Sequence, residues 1–211
     1  MYKVSKVALL VGLVSIITAC SGFQVDNVAG RATAYVPTNT TGPVTGLGIE
    51  SQDIDAMTAK MMRSMLANPI LAGKANPPRV IIDNSNFRNE SSSIVNIKLI
   101  TNKLRVSLGN AANGRMVFVG RHAAAMVAKE RELKRSGMVD GGTIRKTQAQ
   151  AGADYKLFGE IISQDSMQMG SQLRTRLNQI TFEMLDTELG TIVWSGMYEF
   201  KKASQDSGIN R

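Results

Sequence analysis

"LRTRLNQITFEMLDTELGTIVWSGMYEFKK", residues 173–202, changes character every second residue. Ile180, Phe182 and Met184 fall on one side of such a pattern, and Ile192, Trp194, Tyr198 and Phe200 share another. A period of two belongs to a β-strand, because successive side chains point to opposite faces of the pleat. Between the two runs stands "DTELG", a tight connection, so the spacing predicts a hairpin. Just upstream, "ADYKLFGEIIS" (153–163) alternates in the same way. Three such segments in succession predict an antiparallel meander.

Working towards the N-terminus, the period changes. In "DIDAMTAKMMRSMLANP" (53–69), Ile54, Met57, Met61 and Met65 recur at helical spacing, with Asp53 as cap and Pro69 as stop. A methionine stripe of this kind reads as core packing; a promiscuous binding face is the alternative. Arg79 to Asp83 is a short β-rich run, Asn86 to Glu90 reads as a polar loop, and Ser91 to Ser93 offer N-cap oxygens. Ile97, Ile100, Leu104 and Leu108 predict a helix ending near Gly109 or Gly114, and "RMVFVGR" (115–121) is a second buried strand. Strand, helix and strand make a βαβ unit. From His122 to Arg135, Met126, Val127 and Leu133 are placed inside and Lys129, Arg131, Lys134 and Arg135 outside. Thr143 is expected to cap a further short helix through Ala151. The fold class is therefore α/β, with helices packed on a mixed β-sheet: a βαβ unit followed by an antiparallel meander.

The other informative stretch is "SIITACSGF" (15–23), which holds the single cysteine of the 211 residues. One cysteine excludes an internal disulfide framework and a Cys-rich zinc site. Lys3 and Lys6, then the apolar run Val7 to Ile17, then small residues leading to Cys20, have the layout of an export signal. At about 11 residues the run is too short to span a bilayer as a helix. Ile17-Thr18-Ala19-Cys20 resembles the bacterial lipobox, which implies cleavage before Cys20, a diacylglycerol on its thiol and an acylated amine. Ser21, in place of aspartate, points to the outer membrane. The alternative is an ordinary signal peptide with an accidental cysteine.

Residues 1–19 are thus expected to be a lipoprotein signal peptide, and 20–51 the lipidated cysteine and a flexible tether rich in Gly, Thr, Ser and Asn. Residues 52–203 form the globular domain and 204–211 a frayed tail. Fully stretched, the tether spans about 100 Å at roughly 3.3–3.6 Å per residue. Loss of residues 1–19 removes Lys3 and Lys6 and no acid, lowering the net charge from +8 to +6. With few aromatic residues and no unbroken basic run, nucleic acid is not an expected partner.

Catalytic patterns are nearly absent. His122 is the only histidine, and no GxSxG, HExxH or P-loop sequence occurs, which excludes most Ser-His and Cys-His machinery. Glu160, Asp165, Glu183 and Asp186 lie on or beside the strands, where two could face each other as an acid/base pair; a solvated strand face is the plainer reading. No catalytic residue, metal site or cofactor is assigned, beyond the covalent lipid on Cys20.

"VIIDNSNFRNES", the following helix, "RMVFVGR", "AGADYKLFGEI" and "DTELGTIVWSG" together resemble the LpoB family of outer-membrane lipoproteins. Related folds include the periplasmic domain of the curli-pore lipoprotein CsgG and the N-terminal domain of TolB, so the motifs mark a fold more firmly than a function. The resemblance implies a TolB N-terminal-domain-like fold and a non-catalytic lipoprotein on the periplasmic face of the outer membrane. Such a protein reaches through peptidoglycan, docks on a class A penicillin-binding protein and activates it. Family tethers are longer and rich in proline, whereas residues 21–51 hold only Pro37 and Pro43. A structural lipoprotein of a secretion or flagellar assembly is the alternative on the same fold. The docking residues expected on this reading are Arg88, Asn89 and Glu90 in the Asn86–Glu90 loop, and Arg131, Lys134 and Arg135 on the basic helix. For each, a solvated surface charge is the plainer alternative.

Overall fold

The computed structural model describes Val44, residues 46–147, 149–168 and 173–205. The expected signal peptide, Cys20, most of the expected tether and the last residues of the expected tail lie outside the described residues. Helix α1 (Ser51–Ala67) exists because its apolar stripe has somewhere to go: Ile54, Met57, Met61 and Met65 are all buried on one side. Asp53 caps it from within the first turn, its Oδ2 accepting the Glu50 backbone N–H at 2.8 Å. At the other end Asn68 leaves the helical conformation, and its Oδ1 accepts from the N–H groups of Ile70 and Leu71 to start the one-turn helix α2 (Pro69–Ala72).

Strand β1 (Arg79–Ile81) leads through a 3₁₀ turn (Asn84–Asn86) to β2 (Phe87–Glu90). Helix α3 (Ile97–Ala112) begins at Asn96, whose side chain accepts from Leu99 N–H, so the cap is not supplied by Ser91–Ser93 as expected. The helix ends at Asn113, held in the left-handed region at φ 47°. Strand β3 (Val117–Phe118) lies parallel to β1, completing the predicted βαβ unit. After helix α4 (Ala124–Arg135) come β4 (Tyr155–Gln168), β5 (Leu173–Asp186) and β6 (Ile192–Gln205). Strand β4 is parallel to β1, and β5 and β6 follow antiparallel, in the order β3-β1-β4-β5-β6. The mixed sheet with helices on it is the expected fold class.

One sheet face carries Tyr155, Leu157, Ile161, Ile180, Phe182, Met184 and Trp194 into a single core with the buried stripes of α1 and α3. Each such side chain contributes roughly 1.5–3 kcal/mol by leaving water. The opposite face presents Phe158, Glu160, Ile162, Glu183 and Met197, and they are exposed or half-buried. Among the described residues no helix is long and apolar enough to cross a membrane.

The structure corrects five local expectations. Phe87–Glu90 is not loop but strand, running parallel to β4 from Phe87↔Gly159 to Glu90↔Ile162. Strand β1 pairs with β4 only at Tyr155 and Lys156, so the edge of β4 beyond it is free for β2. Met126 is 69% exposed, and α4 buries no residue at all. No helix forms over 143–151 among the described residues. The Thr143 hydroxyl expected to cap it accepts from Lys134 Nζ instead, and the Ala149 carbonyl accepts from Arg131. Ile192 is 45% exposed, because a register shift at Met184/Leu185 sets it opposite Leu185 and apart from the buried Trp194. Strand β6 stays paired to Gln205, past residue 203 where fraying was expected.

Candidate docking surface

The expected docking residues stand on two elements. On β2, Phe87 turns into the core, where its ring meets Phe182 edge-on at 5.3 Å between centroids. Alternation then sends Arg88 to the open sheet face, opposite Glu160. It lines a shallow recess of about 180 Å³ with Phe158, Glu160, Thr181 and Glu183, and a neighbouring one of about 400 Å³ with Lys156 and Leu185. Neither Arg88 nor Glu90 has a side-chain hydrogen bond or ion pair among the described residues, and both are exposed. Asn89 is differently employed. Its Nδ2 donates to the Ser93 carbonyl at 2.8 Å, and its Oδ1 accepts from Ser91 N–H (3.1 Å) and Oγ (2.6 Å), so it shapes the following loop.

On α4, Arg131 donates to the Ala149 carbonyl at 3.1 Å, and Lys134 donates to Thr143 Oγ1 at 2.8 Å and lies 3.7 Å from Glu130. Both therefore hold the returning segment beside the helix. Arg135 is exposed, with no such partner among the described residues. Helix and returning segment enclose a groove of about 590 Å³, with Met126, Val127, Leu133 and Ile144 among its lining. His122 lies exposed in the 3₁₀ turn (Arg121–Ala123) that enters α4.

Of the four carboxylates considered for acid/base work, Asp165 and Asp186 are taken up by hydrogen bonds, and Glu160 and Glu183 share one recess. The Arg176 guanidinium grips Asp165 through both oxygens, and Arg174 adds a contact at 2.9 Å. The fork of Arg176, assisted by Arg174, holds the Asp165 carboxyl far below the usual carboxylate range. Asp186 accepts the N–H groups of Leu189 and Glu188 at 2.9 Å each, which lower its pKa and shape the hairpin turn. Glu160 and Glu183 both line the recess beside Arg88, with Ser195 Oγ donating to Glu183 at 3.4 Å. Among the described residues no group of three or more His, Cys, Asp or Glu could hold a metal.

Two features escaped the sequence reading. Lys202, near the end of β6, donates to the Gly48 carbonyl (2.8 Å) and Asp53 (2.7 Å) and lies 3.4 Å from Glu50. The buried Asn178 donates to the Leu47 carbonyl at 3.1 Å. The chain entering α1 is thus fastened to the sheet from Leu47 onward; a lysine and an asparagine on the inward parity of two strands are the only local signals. The second feature is the work done by the quoted motifs. Asp154 donates its backbone N–H to the Arg79 carbonyl at 2.8 Å, accepts Arg79 N–H on its carboxylate at 2.7 Å, and accepts Thr187 N–H on its carbonyl at 3.0 Å. It thereby stitches β1, β4 and the β5–β6 turn together. A Cβ at Gly196 would lie 2.5 Å from the Trp194 ring and 2.7 Å from Met61 Sδ, so glycine is what admits that tryptophan beneath α1.

A helix-covered sheet with one open face thus leaves Arg88 on that face and Arg135 on α4 without partners among the described residues. A family model described as the peptidoglycan-synthase activator LpoB matches residues 53–200, and the chain belongs to that family of activators. No curated protein sequence matches it. Among solved structures it is similar to the LpoB C-terminal domain from Salmonella enterica, with 18% identity over 71% of this chain and 98% of that one, at a TM-score of 0.37. It is also similar to lipoprotein GNA1162 from Neisseria meningitidis (19% identity, 62% and 87% covered, TM-score 0.31). The PelC dodecamer from Paraburkholderia phytofirmans gives 15% identity, 62% and 72% covered, and a TM-score of 0.29.

Proposed function

We propose that this chain is a non-catalytic lipoprotein, anchored through Cys20 in the outer membrane and facing the periplasm, that docks on a class A penicillin-binding protein and raises its activity. The observation that carries the proposal is the family match over residues 53–200. The lipobox-like Ile17–Cys20 supports the anchor. Unspent Arg88, Glu90 and Arg135 supply contact chemistry without a reaction centre. Activation by contact requires only that the domain bind the active state of the synthase better than the inactive one. A tenfold shift between those states needs about 1.4 kcal/mol of differential affinity.

The test is direct. The mature lipidated protein in detergent is added to each bifunctional synthase of the same cell, and glycan polymerisation is followed with labelled lipid substrate. A several-fold faster rate with one synthase is expected. No effect on any of them removes the proposal.

A further inference from the structure

Helix α4 is anomalous in a domain otherwise built on burial. An isolated helix of about 12 residues is marginal in water unless a face is packed, yet α4 (Ala124–Arg135) has no buried residue. What keeps it in place is polar. Arg121 donates to the Ala151 carbonyl at 3.1 Å, Gln150 Nε2 to the Ala124 carbonyl at 3.3 Å, and Arg131 and Lys134 hold the returning segment. Helix and return form an arm whose groove, about 590 Å³, has an apolar floor including Met126, Val127, Leu133 and Ile144. Met126 and Ile144 remain 69% and 47% exposed.

Charge at this place is not average. Residues 121–151 hold seven lysines and arginines against three acids, a net +4 out of +8 for the whole chain. Two of those acids are answered within α4, Glu132 by Lys129 at 3.1 Å and Glu130 by Lys134 at 3.7 Å. Arg135 and Arg145, which also line the groove, have no ion pair among the described residues.

We infer that the groove between α4 and residues 143–147 is the docking site for an acidic protein segment that inserts an apolar side chain over Met126 and Ile144 while its carboxylates meet Arg135 and Arg145. A second copy of this chain suits the groove poorly, since two mature chains of net +6 repel. A concave floor also fits an inserted side chain better than a flat lipid surface. Arginine at the rim suits paired contacts with carboxylates, and such rim charges speed association more than they set affinity. The inference rests on the activator reading only in naming the synthase as the protein expected to carry the segment.

The experiment uses the mature lipidated chain in nanodiscs and three synthetic peptides: one with leucine flanked by Asp and Glu, the same with Lys and Arg, and the acidic one with alanine for leucine. The acidic leucine peptide is expected to bind at least about tenfold more tightly than either other. The double variant Arg135→Glu/Arg145→Glu should reverse the preference towards the basic peptide, and Met126→Asp should lose about tenfold; all three positions are solvent-facing, so melting should not move. Equal binding of acidic and basic peptides, or native-like binding by the variants, overturns the inference. So does protection of amides in 124–147 by anionic nanodiscs without peptide, which would assign the arm to lipid. Peptide binding does not involve the synthase, so a failure of activation and a failure of this groove are separate results. Full activation by the double variant would overturn the assignment of the groove to the synthase.

Discussion

Substituting Gly159 by alanine tests how the family-like motif "LFGEI" builds the candidate surface. Gly159 lies mid-sheet, opposite Phe182 on one side and Phe87 on the other. A Cβ there would stand 2.3 Å from the Thr181 carbonyl oxygen and 2.9 Å from Phe87 Cε1. The phenylalanine ring can swing, but the carbonyl belongs to the backbone of a central strand, so relief requires β5 to move. Overpacking of this kind costs about 1–3 kcal/mol, and a backbone clash belongs at the upper end. Loss of glycine's freedom in the unfolded chain offsets roughly 0.4–1 kcal/mol. The net cost is about 2–2.6 kcal/mol, which at about 2–4 °C per kcal/mol for a domain of this size lowers the midpoint by roughly 4–10 °C.

The assay is thermal unfolding by circular dichroism, with Gly152→Ala as control, because a Cβ at Gly152 meets nothing within 4 Å. The control should melt about 1–4 °C above the native protein, since only the unfolded-chain contribution acts there. A Gly159→Ala midpoint within about 2 °C of native would refute the reasoning, since the clash would then be relieved at no cost. Displacing Phe87 also displaces Arg88 beside it. Binding through the open sheet face should therefore weaken in step with stability.

Three further outcomes are expected. Asp165→Asn removes the carboxylate that Arg176 and Arg174 share; because its folded-state pKa lies below the unfolded value of about 3.9, the stabilisation is complete above about pH 4 and fades as pH falls further. The variant's deficit, roughly 1 kcal/mol near neutrality, should shrink in melts taken below about pH 4, and a deficit unchanged down to about pH 2.5 would contradict the ion pair. Lys202→Ala takes its cation from Asp53, at about 2 kcal/mol, and frees the Gly48 carbonyl. Limited proteolysis should then cut within 44–50 well before the domain melts, and native-like resistance there would show that the clamp does not hold the entry strand. Cys20→Ser should move the protein from the outer-membrane fraction to the soluble periplasm, and persistence in the membrane would mean an anchor other than the lipid.

Periodicity revealed what repeats and little else. The strands of the meander and the stripes of α1 and α3 were legible because Ile180, Phe182, Met184, Met57 and Leu104 each obey a spacing that geometry imposes. Strand β2 was hidden: "FRNE" is polar, and only Phe87 settles it, by a contact with Gly159 and Phe182 distant in sequence. The misplacement of Met126 has the opposite cause. A helical apolar face is the same pattern whether the core covers it or a partner does, so spacing showed that α4 is amphipathic and not what it meets. Lys202 and Asn178 were hard to read for a third reason: each reaches a backbone carbonyl of a tether that carries no pattern, and the Asp53 carboxylate that Lys202 also meets lies 149 residues away in sequence.

The motifs that carry the family resemblance are spent on holding the fold together. Asp154 and Thr187 join strands to the hairpin, Asp186 shapes its turn, and Gly159 and Gly196 make room for Phe87 and Trp194. Side chains already committed in this way have little left for a partner, so the proposed docking is expected to draw on side chains the fold leaves idle, among them Arg88, Glu90, Arg135 and Arg145. Asn89, Arg131 and Lys134 fall between, each shaping a loop beside an idle neighbour. Two classes of variant should therefore separate when synthase activation is plotted against melting temperature. Motif variants such as Gly196→Ala should lose both together, whereas Arg88→Ala and Arg135→Ala should lose activation at unchanged stability. If Arg88→Ala and Arg135→Ala both activated normally while a stable Asp154 or Asp186 variant did not, the partner would be reading the hairpin end of the sheet, and the division between framework and contact residues drawn from these hydrogen bonds would be wrong.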